Sequence, residues 1–169
     1  MKKIILSFLL LVGGTTFAQE EVEVSKKKIY HNIGFNLGST TGIGPSYRLQ
    51  YGIFKYQIAF LPVTTIDMWI NYGGMFGVDL HKTETTNFFV YSGVNGIHTR
   101  SVYYDSYSGE RYETEDRLNI GLGAGIEKVY SNNISVNLMF GYGTYMSINR
   151  NPILSIAGEI GLFYQFNKN

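Results

Sequence analysis

Cysteine is absent from all 169 residues, which excludes disulfides, thiolate metal sites and the lipid-modified cysteine of an anchored lipoprotein. Proline is scarce, with 3 residues, and only 16% of the chain is charged. His31, His81 and His98 lie far apart with no His-x-His spacing, so no metal-ligand cluster and no cofactor are implied. Long apolar runs are missing as well. The run from Ile4 to Val12 falls short of the about 20 residues that a membrane-spanning helix needs. It follows Lys2 and Lys3 and precedes the small-x-small site Thr16-Phe17-Ala18, the pattern of an export signal cut before Gln19. Loss of residues 1–18 removes two lysines and takes the formal net charge from +1 to −1, leaving no electrostatic footprint for nucleic acid.

What the chain does hold is 20 Gly, 14 Tyr and 11 Phe, which with so few charges favours strands over helices. The length suits one domain. After a short charged tail, 19–28, bulky apolar residues alternate with small or polar ones at a period of two. The pattern recurs eight times, the clearest cases being 117–127, 134–145 and the closing stretch Ile153 to Phe166. Polar breaks separate the repeats at Thr40-Thr41-Gly42, near Phe54, at Pro62 to Asp67, His81 to Thr86, Thr99 to Asp116, Ser131-Asn132-Asn133 and Ser147 to Pro152. Residues 29–169 are thus expected to form an all-β, eight-stranded antiparallel up-and-down transmembrane β-barrel.

Alternation alone is shared with soluble barrels that hold an apolar ligand. Two arguments place the bulky face in lipid. The interior of an eight-stranded barrel is just filled by ordinary side chains, so several Ile, Leu, Phe or Tyr per strand would overfill it. The opposite face is mostly Gly, Asn and Ser, which suits a cramped polar lumen and not a water-facing surface. Aromatics form expected girdles, with Phe54, Tyr56, Phe88, Tyr130, Tyr164 and Phe166 at one rim and Tyr47, Phe60, Trp69 and Tyr142 nearer the other. An even strand count puts both ends in the periplasm and the breaks around Thr41, Thr65, Ser108 and Asn149 outside.

With an export signal, eight alternating segments and a terminal aromatic, the mature chain resembles the small OmpA/OmpX-type outer-membrane barrels. The resemblance implies residence in the outer membrane of a Gram-negative bacterium, among lipids and lipopolysaccharide. It also implies a carboxy-terminal signal, here Tyr164 and Phe166, that the barrel-insertion machinery reads.

The residues that carry chemistry fall in two groups. Arg48, Lys55, Asp79, Arg117, Glu127 and Glu159 lie on the small-residue face and are expected to form a polar network in the lumen. Unpaired charges there would cost several kcal/mol, so Arg48–Glu159 and Lys55–Asp79 are the expected contacts. Such a network either plugs the lumen or gates a narrow ion leak. The second group is the outer loop 99–116, with Arg100, Tyr103, Tyr104, Tyr107, Arg111 and Tyr112. Tyrosine offers large amphipathic contact area at low entropy cost, so this loop is the expected binding surface for an extracellular partner, unless its tyrosines simply extend the girdle. Gly121-x-Gly123-x-Gly125 lies within a strand and lacks a following helix, so it makes room in the lumen and binds no phosphate. A lipid A-modifying enzyme built on His98 and Ser101 is a remote alternative, with no carboxylate evident to orient the histidine. The sequence reads as a structural or surface-interaction barrel, not an enzyme.

Overall fold

The computed structural model describes residues 29–65, 67–105, 109–130, 132–147 and 151–166. Eight strands follow one another: β1 (Ile29–Gly38), β2 (Gly42–Tyr51), β3 (Phe54–Thr64), β4 (Met68–Lys82), β5 (Thr86–Asp105), β6 (Gly109–Val129), β7 (Ile134–Ser147) and β8 (Ile153–Phe166). Each pairs antiparallel with the next, and β8 returns to β1, so the sheet is a closed up-and-down barrel. Closure removes the exposed sheet edge that hydrocarbon would not tolerate.

The ring closes out of step. Ile33 pairs with Tyr164 across the β1–β8 seam, yet the same rung followed round through Tyr47, Ile58, Gly74, Val94, Ile120 and Thr144 arrives at Leu154. The ten-residue offset between Leu154 and Tyr164 is the shear that makes the strands tilt. Tilted strands need about 9–11 residues to cross a membrane, and every strand here has at least 10.

Even-numbered positions on β6 (Leu118, Ile120, Leu122, Ala124, Ile126) all face outward, as do Ile58, Phe140, Tyr142, Leu154 and Ile156 on other strands. Ile156 is 73% exposed and Leu122 67%, values at home in lipid and foreign to a soluble core. The interior holds the polar residues instead: Asn36, Arg48, Lys55, Gln57, Asn71, Asn95, Asn119 and Glu127 are all buried.

At the rim where β1 begins and β8 ends, here the near rim, three tight turns join the strands. Gly52 takes φ +60 in the first, and Asn133 takes φ +64 in the third, where its short polar side chain tolerates the left-handed region. At the far rim the reading from sequence needs two corrections. Pro62 to Asp67 is not all loop, because β3 runs through Pro62, paired with Ile70, as far as Thr64. Thr99 to Asp116 is not a loop either: it is the continuation of the β5–β6 hairpin, paired rung by rung to Asp105 and Gly109. The hairpin overshoots β4, whose last partner on β5 is Arg100, by five residues, or about 17 Å at about 3.4 Å per residue. Trp69 also departs from expectation: it points inward at the far mouth and is no part of the outer girdle.

Leu122 at the middle of the β6 belt supplies a direct test. Leu122→Arg is expected to lower the unfolding free energy of the bilayer-refolded barrel by about 2–4 kcal/mol, the midplane cost of a lipid-facing cation. Urea titration in vesicles measures it, and no change would contradict a lipid-facing Leu122.

Candidate functional site

Two layers cross the lumen. The layer nearer the near rim is ionic. Arg48 on β2 meets Glu127 on β6 with Nη1 2.7 Å from Oε1, and donates from Nε and Nη2 to Gln57 Oε1 at 3.0 and 2.7 Å. Lys55 on β3 bridges Asp79 at 2.9 Å and Glu127 at 2.6 Å. Gln50, Asn87 and Ser135 donate the remaining hydrogen bonds to the two carboxylates. Two cations thus face two anions, and their apolar surroundings are also matched: Arg48 lies 3.8 Å over the Phe163 ring and Lys55 4.4 Å over Phe89. Phe163 is a bulky residue deep on the small-residue side of β8, and this stacking explains it. On the near-rim side of the layer lies a polar vestibule of about 130 Å³, with Glu127 among its lining residues.

The second layer is made by backbone. The β1–β2 turn does not project outward, as its position between two strands suggests, but folds into the barrel, leaving Thr40 and Thr41 with no exposed surface. Gly42 (φ +97) and Gly44 (φ +131) supply the left-handed backbone that swings the start of β2 inward. Four strands then grip the turn with one polar group each. Asn71 on β4 accepts from Ile43 N at 2.7 Å, Asn95 on β5 and Asn119 on β6 donate to the Ser39 carbonyl at 3.2 and 3.0 Å, and Tyr145 on β7 bonds the Ser39 hydroxyl at 2.9 Å. Glu159 on β8 completes the set, accepting from Thr40 N at 3.2 Å and from both threonine hydroxyls.

The space for this turn is cut by glycine. A Cβ on Gly73, Gly93, Gly121 or Gly143 would stand 2.5–2.7 Å from Thr40, Thr41 or Gly42, closer than real Cβ atoms come. One such glycine sits on each of β4, β5, β6 and β7. Gly121 therefore makes room in the lumen, and the specific object it makes room for is Thr40.

The expected Arg48–Glu159 pair is accordingly overturned. Arg48 turns toward the near rim to Glu127, and the inward turn stands as Glu159's partner. Lys55 and Asp79 are paired as their depth along the strands suggested, with Glu127 added. Arg117 is not in the network: it sits exposed at the far mouth, bidentate to Glu115 at 2.9 and 2.7 Å.

On the projecting hairpin Arg100 lies 4.1 Å over the ring of Tyr112, and Tyr103 is exposed. The side chains of Tyr104 and Tyr107 lie outside the described residues, as do the signal and tail at 1–28. Arg111 is an exposed side chain with an interaction partner. At the other end of the barrel Tyr164 and Phe166 face outward, Phe166 stacked 5.9 Å from His31. His98 has a carboxylate after all, Asp116 at 2.6 Å, brought opposite it by the β5–β6 register. Ser101, three residues on, falls on the other face of β5, so no His–Ser pair forms.

Removing one anion from the ionic layer leaves two buried cations sharing one carboxylate. Glu127→Gln is expected to cost about 3–5 kcal/mol of stability, as breaking a buried pair does. The exposed Lys82→Ala should stay within about 0.5 kcal/mol. Equal urea midpoints for the two variants would contradict the assigned network.

No family model and no curated protein matches the sequence. Among solved structures, the N-terminal β-barrel domain of Pseudomonas aeruginosa OprF superposes with a TM-score of 0.50 at 10% identity, covering 82% of this chain and 96% of that one. Neisserial surface protein A gives a TM-score of 0.45 at 10% identity, with the same 82% and 96% coverage. Together with eight strands in a closed antiparallel ring, the first likeness gives the architecture its place: the chain has the fold of the small OmpA/OmpX-type outer-membrane barrels.

Proposed function

We propose that this protein is a closed barrel of the Gram-negative outer membrane whose work is done at the cell surface by the β5–β6 hairpin. The observation that carries the proposal is a contrast between the two far-rim features. The lumen is crossed by the Arg48–Lys55–Asp79–Glu127 layer and again by the Ser39–Thr41 turn, while one hairpin alone extends about five residues past its neighbour β4. A conducting role calls for an open path. A binding role calls for a displayed edge, and this hairpin offers one with Arg100, Tyr103 and Tyr112 on it.

In this reading both termini lie in the periplasm and the hairpin lies outside, as the architecture favours when turns at one rim are tight and the longest extension is at the other. Tyr164 and Phe166, outward-facing at the end of β8, serve as the signal to the insertion machinery. Outer-membrane lipids and lipopolysaccharide surround the belt, and the extracellular partner is one that reads tyrosine and arginine. No step of catalysis is assigned: Ser101, the serine that a lipid A-modifying site would need beside His98, lies on the other face of β5.

Two measurements test the proposal. In planar bilayers the wild-type barrel is expected to pass no resolvable single-channel current; steps from the wild type would favour the ion-leak reading. Cells displaying the barrel with residues 102–112 replaced by a short turn are expected to lose most of their binding to host-cell or matrix surfaces. Unchanged binding would leave the barrel with a membrane-structural role only.

A further inference from the structure

Folding the β1–β2 turn inward has a consequence for the wall. The β1–β8 ladder ends at Gly38–Glu159 and the β2–β3 ladder at Ser46–Ala59. Beyond those rungs β8 continues as Ile153–Gly158 and β3 as Phe60–Thr64, each paired on one side only. Gly44 of β2 still lies against Phe60 and Leu61, and beyond them, among the described residues, no strand lies between β3 and β8. The barrel wall therefore has a notch at its far end, floored by the tucked turn.

The chemistry of the notch is unlike that of a strand edge in water. Edges in water are guarded by charge, and the eleven residues of these two edges, FLPVT and ILSIAG, carry none. Pro62 lies on the β3 edge, the place where a sheet tolerates a residue with no N–H. The lumen also changes polarity at this height. Below the turn the inward positions are mostly Asn, Gln, Arg, Lys, Asp and Glu, with Met75, Phe89, Tyr91, Met139 and Phe163 packed among them, whereas above it Leu61, Val63, Trp69, Ile97 and Ile153 face in. These five come from β3 and β8, which border the notch, and from β4 and β5 beyond β3. Next round the wall from β8, β7 and β6 present Ser147 and Arg117, with Glu115 between them.

The notch is continuous with the lipid belt. Counting about ten residues back from the girdle residue Tyr164, the number a tilted strand needs to cross the hydrocarbon, reaches Ser155. The β8 edge from Ser155 to Gly158 thus lies at or below the far membrane surface. Outward-facing Leu154 and Ile156, 70% and 73% exposed, border the same opening.

We propose that this notch is a lateral port through which one acyl chain of a lipid in the far leaflet enters the mouth of the barrel and packs against Leu61, Val63, Trp69, Ile97 and Ile153. The hydrocarbon covers inward apolar side chains that the β1–β2 hairpin leaves uncovered. The polar head remains at the mouth beside Arg117 and Ser147. Identification of the leaflet as the outer one rests on the orientation proposed above; the port itself does not.

The chain's single tryptophan reports on it. The full barrel is refolded into phosphatidylcholine vesicles whose acyl chains carry bromine, and Trp69 emission is compared with that in unbrominated vesicles. Trp69 is expected to lose most of its emission, approaching a Trp69→Phe/Tyr72→Trp reference whose tryptophan faces lipid. Ile153→Lys, with Val63→Asn as the alternative if that variant fails to insert, is expected to restore most of it. Quenching of Trp69 by aqueous acrylamide and not by bromolipid would overturn the port. So would bromolipid quenching that both substitutions leave unchanged, because the bromine would then act through the wall. Random orientation in vesicles does not affect this readout, so a failure here is distinct from mis-orientation, which thiol labelling of a Thr114→Cys hairpin on intact cells detects.

Discussion

Thr40 and Thr41 carry no charge, yet the interior of this barrel is arranged around their hydroxyls and the carboxylate of Glu159 that receives them. A carboxylate buried without a cation must be met by donors, or it is expelled or neutralised. Here the donors arrive as a turn of backbone with two adjacent threonines, and the rest of the upper lumen follows from that. Glycine must stand on four facing strands to admit the turn, asparagine on β4, β5 and β6 and Tyr145 on β7 must stand beside those glycines to satisfy the turn's polar groups, and β1 and β2 must be the shortest strands. Loss of the clasp would leave a glycine-lined void where the turn had been.

The ionic layer below obeys a different rule. Its four charges cancel, and each is held by more than one partner, so Glu127 receives Arg48, Lys55, Asn87 and Ser135 together. The two layers divide the lumen by chemistry, charge against charge toward one rim and backbone against amide toward the other. What is left for contact with other molecules is the far end, where the β5–β6 hairpin rises and the wall is notched beside β3 and β8. One choice, the inward turn, both blocks the lumen and opens the notch.

Much of this is legible in the residues, and the boundary of legibility is physical. The closing strand Ile153–Phe166 is readable to the residue because one face meets lipid and the other a polar lumen, which enforces a period of two. The same period fades in 99–116, where both faces of the hairpin meet water, so a strand there looks like a loop. Pro62 suggests a break by its missing N–H, and only its place on an unpaired edge explains why β3 passes through it. The Arg48–Glu159 expectation failed for a different reason. Depth along a strand does not say what lies across a barrel until the ten-residue shear is known, and it says nothing of a turn folded between the two. A signal for that turn was present, namely one glycine at matching depth on β4, β5, β6 and β7 together with Gly42 and Gly44 around the threonines. Single glycines in strands have many causes, and only their shared height gives this one away.

The central claim is that the Ser39–Thr41 turn is locked inside the lumen, and a chain without cysteine makes it directly measurable. A Thr40→Cys variant in the folded barrel, treated with a charged maleimide from both sides of the membrane, is expected to remain unlabelled over times that label an exposed Thr114→Cys on the hairpin completely. Adding Glu159→Ala is expected to release the turn and expose the thiol. Rapid labelling of Thr40→Cys with Glu159 intact would contradict the account, since the turn would then lie outside the barrel it is held to close.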